Sequence, residues 1–168
     1  ADRCEASHLS LFRRERAPVD PAEHLLAQDL IYVGGGSVRS LLGVWRAHGI
    51  DEILREAWER GVILCGLSAG SLCWFAEGVS TFHGGPPDRV EGLGLLPWAN
   101  TVHYSSEPAR REALHEWLRD GMPTAYAADD GAALHFVGDQ LVQVVASRRE
   151  ARAYRVEHAH GRTLTTQL

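Results

Sequence analysis

A chain of 168 residues and 18.5 kDa with 45% hydrophobic residues can bury one good core and is too short for two ordinary domains, so a single domain over residues 1–168 is expected. A formal net charge of −5, with no basic cluster longer than Arg13-Arg14-Glu15-Arg16, argues against a nucleic-acid partner, because phosphate binding needs a concentrated positive field. No apolar run reaches the roughly 18 residues of a membrane span and no leader pattern opens the chain, so a soluble cytoplasmic protein with no membrane partner is expected.

The three cysteines, Cys4, Cys65 and Cys73, form no C-x-x-C and read as small core hydrophobes of a reducing compartment. His8–Phe12 (H-L-S-L-F) reads as a short strand. Asp20-Pro21-Ala22-Glu23 has the form of a helix start, with Asp20 as N-cap and Pro21 at the first helical position, and the helix runs to about Gln28. The strand Leu30–Val33 then runs straight into Gly34-Gly35-Gly36-Ser37. Val38, Leu41, Leu42 and Trp45 mark one face of a helix that stops at His48-Gly49, and Ile50, Ile53, Leu54, Ala57 and Trp58 mark a second that ends at Arg60-Gly61.

Val62-Ile63-Leu64-Cys65 is an apolar run of the kind that forms a strand buried on both faces. It ends in Gly66-Leu67-Ser68-Ala69-Gly70, after which Ala69, Leu72, Cys73 and Ala76 recur at helical spacing. This strand–turn–helix rhythm predicts an α/β fold with a mostly parallel sheet and helices on both faces. Gly78–Asn100 is rich in Gly and Pro and reads as a loop with at most short strands. A helix from Pro108 to about Asp120 and a strand over Thr124–Ala128 follow, the strand ending in Asp129-Asp130-Gly131. C-terminal antiparallel strands are expected over Ala133–Val137, Gln140–Ala146 and Ala151–Glu157.

Residues 66–70 spell G-x-S-x-G at a strand-to-helix turn, where the motif has a steric rationale. The turn forces the central backbone into an unfavourable region, and glycines two residues to either side let strand and helix pass close by. Ser68 is thereby lifted clear of the sheet, beside helix N-terminal N–H groups that can face an oxyanion. The structural alternative is an ordinary Gly/Ser turn. Gly34–Gly36 lie at the carboxyl end of another strand, where open α/β sheets place their sites. They read either as a flexible loop or as a bare-backbone wall, with Gly35 and Gly36 completing an oxyanion hole beside Ala69. A phosphate cradle is the weakest option, since neither G-x-G-x-x-G nor a G-K-[ST] ending is present.

A serine nucleophile needs a base, and the base needs a third group to fix its tautomer. Of nine histidines, His115 and His135 fall inside a helix and a strand, and His8, His24, His48, His158 and His160 are far from any strand end after Ser68. His103 and His83 remain. For the acid, Asp129 and Asp130 stand at a strand end, and Asp88, in the preceding loop, fits the usual Ser–acid–His order of α/β-hydrolases.

Taken together, I-Y-V-G-G-G (31–36), E-A-W-x-x-G-V (56–62), G-L-S-A-G-S (66–71), Val102-His103-Tyr104 and A-D-D-G-A-A-L (128–134) resemble the peptidase E family of serine peptidases, with cyanophycinase as a relative. The resemblance covers residues 8–157. It implies a class I glutamine-amidotransferase-like (flavodoxin-like) fold and hydrolysis of short peptides carrying an N-terminal aspartate, with no cofactor and no metal. It places Ser68 as nucleophile, His103 as base and Asp130 as acid, with Asp129 before it. An acid between serine and histidine, as described for other members, would here be Glu77 or Asp88. Family members bind the substrate's aspartate with an arginine just after the catalytic histidine, a position matched by Arg110 or Arg111, and a guanidinium fork suits a carboxylate. Relatives carry a βα unit ahead of the strand matching His8–Phe12, which this sequence lacks.

Two readings stand beside this one: a ligand-binding domain on the same fold without chemistry, and a cyanophycinase-like peptidase of other specificity. A glutaminase would need a thiolate where Ser68 stands. A metal hydrolase finds no ligand spacing in His158-x-His160 or Asp129-Asp130. The partners expected are a short peptide substrate and, at most, a second copy in a homodimer.

Overall fold

The computed structural model describes residues 3–11, 20–81 and 84–168; Phe12, the Arg13–Arg16 run and His83 lie outside the described residues. The chain divides into two compact units, one drawn from the chain up to Ile31 and from Val44–Leu64, the other from Tyr32–Gly43 and Cys65–Leu168. Among the described residues no helix is long and apolar enough to cross a membrane.

In the first unit, α1 (Pro21–Leu26) begins as its sequence dictates: the Asp20 carboxylate accepts the Ala22 N–H at 2.8 Å and Pro21 fills the first turn, where no donor is needed. α2 (Val38–His48), which enters this unit at Val44, stops at Gly49, whose left-handed backbone (φ 66°) starts α3 (Ile50–Glu59). α3 buries Ile50, Leu54 and Ala57, one stripe at helical spacing, and packs on α1. β1 (Leu30–Val33) and β2 (Ile63–Gly66), each of which begins in the first unit and ends in the second, pair as a two-stranded sheet. The apolar run at β2 is therefore not buried on both faces, and Ile63 is 60% exposed. Residues 8–11, expected as a strand, form none.

The second unit holds a six-stranded sheet built from β3 (Phe75–Thr81), β4 (Pro87–Glu91), β5 (Leu96–Val102), β6 (Ala125–Ala128), β9 (Ala153–Ala159) and β10 (Arg162–Gln167), in the order β10-β9-β6-β5-β3-β4. β3–β5 and β5–β6 are parallel, and the other three pairings are antiparallel. The sheet is thus mixed, not mostly parallel as the sequence rhythm predicts. The reason lies in the connections. Parallel neighbours need a crossover, which α5 (Pro108–Arg119) supplies between β5 and β6, whereas short links such as His160-Gly161 between β9 and β10 make hairpins. β7 (Ala132–Val137) and β8 (Gln140–Ala146) form a separate hairpin that turns at Gly138-Asp139.

Three further expectations are corrected. The helix after Ser68, α4 (Ala69–Leu72), lasts only four residues. The carbonyls of Cys73, Phe75 and Ala76 accept the N–H groups of Leu93, Gly94 and Gly92, so Ala76 belongs to a strand and not to a helix face. The Gly- and Pro-rich stretch from Gly78 to Asn100 consequently carries most of β3, all of β4 and most of β5. β10 continues the sheet beyond the last strand read from the sequence.

α5 packs on this sheet through Leu114 and Leu118, which with Val79, Ala99, Tyr104, Met122, Ala125, Ala127 and Val156 form the core. Asn100, fully buried in β5, donates to the Tyr126 carbonyl at 2.8 Å and accepts from Ser71 Oγ at 3.1 Å, tying α4 to two central strands.

Candidate active site

Ser68 sits between β2 and α4 at φ 54° and ψ −115°, a region that costs a side-chain-bearing residue about 1–3 kcal/mol. The glycines of G-x-S-x-G explain how the chain tolerates such a turn. A Cβ on Gly66 would lie 2.4 Å from the Gly70 carbonyl oxygen, and one on Gly70 would lie 2.1 Å from the Val33 carbonyl oxygen. The end of β1, the end of β2 and α4 meet backbone to backbone, and only hydrogen atoms fit between them. The Leu67 N–H bonds the Val33 carbonyl at 3.1 Å, and the Ser68 carbonyl accepts from Ser71 and Leu72. The strained residue is thus held from both sides.

His103 follows β5 directly and also has a positive φ of 59°. Its neighbour Tyr104 is buried and donates its N–H to the Ala128 carbonyl, which brings the end of β5 beside the end of β6. There His103 Nδ1 donates to Asp130 Oδ1 at 2.5 Å. A carboxylate can only accept, so this bond puts the imidazole proton on Nδ1 and leaves Nε2 to accept from Ser68 Oγ, 3.3 Å away. Hydroxyl, imidazole and carboxylate are joined by two hydrogen bonds in series.

Asp130 is 44% exposed at its side chain and is not the buried carboxylate that the triad logic leads one to expect. Its charge is stabilised by donors: Ser106 Oγ bonds Oδ2 at 2.8 Å, His103 bonds Oδ1, and both hold the carboxyl below the usual range, helped by the Arg148 guanidinium. Asp129 turns elsewhere. Its Oδ1 accepts the Ser105 N–H and hydroxyl, and its Oδ2 accepts the Arg152 N–H. Asp88 forms an ion pair with Arg39, and Glu77 with Arg89, so both alternative acids are engaged away from His103.

Gly35 lies close to Ser68, since a Cβ on it would be 3.4 Å from Ser68 Cβ and 3.1 Å from Leu67 Cδ1. Around Gly36 the space is open. Ala69 opens α4, so its N–H has no acceptor within the helix. Arg110 is buried: Nη2 donates to Thr81 Oγ1 at 2.7 Å, and Nε pairs with Glu107 Oε2 at 2.7 Å. Burial lowers its pKa against the pull of Glu107. Arg111 is exposed, with its guanidinium 6.0 Å from the centre of the Tyr104 ring. A groove of about 560 Å³ lined by Leu141, Val144, Ala151 and Gln167 includes none of these residues.

The residues that sequence reading missed are Ser106, which bonds the Asp130 carboxylate, and Arg148, which donates to the Asp130 carbonyl. No motif marks either one. The only trace is a Ser105-Ser106 pair just after His103, facing an Asp129-Asp130 pair across two loops.

A sequence model of peptidase family S51 matches residues 2–144. An uncharacterized peptidase of Bacillus subtilis, YgaJ, is 49% identical over 154 residues, 91% of this chain and 66% of that protein. Peptidase E of Streptomyces coelicolor is 31% identical over 81% of this chain and 59% of its own length, and peptidase E of Pasteurella multocida 33% over 79% and 59%. The chain spans less than two thirds of the length of each.

Proposed function

The chain belongs to peptidase family S51, and from that premise we propose that it is a serine peptidase that hydrolyses short peptides with an N-terminal aspartate through Ser68, His103 and Asp130. The observation that carries this reading is the unbroken relay from Ser68 Oγ through the imidazole to Asp130. In the same reading the chain works as one class I glutamine-amidotransferase-like domain in the cytoplasm, with the nucleophile turn at a strand's carboxyl end.

As Ser68 Oγ attacks the scissile carbonyl carbon, His103 Nε2 takes the hydroxyl proton and the carbonyl electrons move to oxygen, facing the N–H groups of Ala69 and of the Gly35-Gly36 wall. The tetrahedral species collapses when the C–N bond breaks and His103 gives that proton to the departing amine, leaving an aspartyl ester on Ser68. Water then attacks the ester with His103 again as base, releasing aspartate and restoring the serine hydroxyl. Asp130 keeps the imidazole in the productive tautomer and faces its positive charge. The 3.3 Å approach of Oγ to Nε2 is the looser contact usual without substrate.

Specificity rests on the arginines at the start of α5, where a carboxylate meets a guanidinium at the positive end of a twelve-residue helix. A fluorophosphonate should label Ser68 and no other residue, and labelling should stop in Ser68→Ala. Hydrolysis of Asp-Leu in preference to Leu-Leu tests the substrate class. An unlabelled Ser68 would remove the chemistry and leave a ligand-binding domain.

A further inference from the structure

We infer that Ser106 is a positioning residue for the acid, a fourth member of the relay that aims Asp130 at His103. This inference rests on the serine-peptidase reading above. Asp130 is substantially exposed, so packing cannot fix its χ angles, and an exposed carboxylate rotates and hydrates freely. Two hydrogen bonds on opposite oxygens remove that freedom: His103 Nδ1 on Oδ1 at 2.5 Å and Ser106 Oγ on Oδ2 at 2.8 Å. A serine hydroxyl has one proton, and the carboxylate oxygen is closer to it than the His103 carbonyl at 3.3 Å, so the proton goes to Asp130.

The neighbouring pair shows how Ser106 is itself held. Ser105 donates both its N–H and its hydroxyl to Asp129, whose other oxygen takes the Arg152 N–H. The Asp129 N–H in turn bonds the Arg152 carbonyl at 2.9 Å. Ser105-Asp129 clasps the loop after β5 to the loop after β6, and Ser106-Asp130, one residue further on each loop, uses that fixed spacing to set the acid. A hydroxyl that donates to the carboxylate also favours its ionised form, as the lowered pKa of Asp130 reflects. Among the described residues, the titratable and charged groups that act on Asp130 are the His103 imidazole, the Arg148 guanidinium on its carbonyl and, more distantly, Arg110. None of these replaces the donor on Oδ2.

The test compares Ser106→Thr, which keeps the hydroxyl, with Ser106→Val, which keeps the shape and lacks it. The readout is the rate of fluorophosphonate labelling of Ser68 from pH 5 to 9, which needs no knowledge of the peptide substrate. Labelling by the threonine variant should match the unmodified protein, while the valine variant should label about tenfold more slowly, the order expected for one charge-assisted bond at an exposed site. The ratio of the two rates should hold across this range, because the Asp130 carboxyl, held below the usual carboxylate range, stays ionised throughout and what the valine variant loses is its aim. Peptide turnover, where measured, should lose kcat with KM little changed. Equal rates for the two variants across this range, with Ser68 labelled in both, would overturn the role of Ser106 and leave the triad standing. Absence of Ser68 labelling in the unmodified protein would overturn the triad and this inference with it.

Discussion

Asp129 and Asp130 are adjacent in the chain and point to different partners: the Asp129 carboxylate takes the Ser105 and Arg152 amides, and the Asp130 carboxylate takes the His103 imidazole and the Ser106 hydroxyl. Both residues lie past Ala128, the last residue of β6, where the chain turns and the Ala132 N–H bonds the Asp129 carbonyl. Two identical residues thus have different partners, one joining two loops and the other holding the His103 ring.

Removing each acid should therefore damage different properties. Asp130→Asn keeps the fold but lets Nδ1 meet an amide that no longer enforces the tautomer, so turnover should fall by on the order of 10³ to 10⁴, as in other triads. Asp129→Asn should instead lower the melting temperature, because three donors lose a charged acceptor. Assays and thermal melts on both variants separate the roles, and full activity in Asp130→Asn would point back to Asp88.

Acidification follows from the same group. The folded state holds the Asp130 carboxyl below its unfolded value, so this side chain contributes stability above the ordinary carboxylate range and loses it as pH falls through the lower folded value. Its exposure keeps the effect small. Thermal melts from pH 6 down to pH 3 should show a slightly steeper loss for the unmodified protein than for Asp130→Asn.

Strain at Ser68 has a thermal signature. Glycine adopts φ 54° and ψ −115° without a Cβ penalty, so Ser68→Gly should be more stable than Ser68→Ala by about 1 kcal/mol or more, a gap of roughly 2–4 °C in melting temperature for a chain of this size. Both variants lack the hydroxyl, which isolates the backbone term. Equal melting temperatures would mean that the turn is not strained.

The turn at Ser68 was more legible than the sheet. A strand that runs into G-x-S-x-G announces Ser68 because only glycine fits where Gly66 and Gly70 touch backbone, and such steric needs are local in sequence. Strand direction is not local. Nothing in Ala76 or Gly92 says that their backbones will pair, so an apolar period of helical spacing hid the start of β3, and glycines that admit close approach read as a loop. Thr163 and Thr165 alternate with Leu164 and Thr166 in β10 with little hydrophobic contrast, which left no signal for an edge strand. Ser106 was invisible for a related reason: its partner lies 24 residues away on another loop.

Specificity provides the sharpest contrast, because Arg110 and Arg111 are consecutive and differently placed. Arg110 is enclosed by Thr81 and Glu107, so Arg110→Met should lower the melting temperature by leaving Glu107 and Thr81 without their partner. Arg111 is exposed and stacks on Tyr104, so Arg111→Met should leave stability nearly unchanged. A charged hydrogen bond contributes about 1.5–3 kcal/mol, so Asp-Leu should be cleaved faster than Asn-Leu by roughly one to two orders of magnitude, and loss of the arginine that binds the substrate should erase most of that ratio. The exposed guanidinium has donors to offer without breaking an internal pair, and the ratio should therefore collapse in Arg111→Met with Ser68 still labelled by a fluorophosphonate. Collapse in Arg110→Met alone, at unchanged melting temperature, would mean that the inner arginine turns outward to meet the substrate. Equal cleavage of Asp-Leu, Asn-Leu and Leu-Leu by the unmodified protein would remove the aspartyl preference and leave the serine chemistry intact.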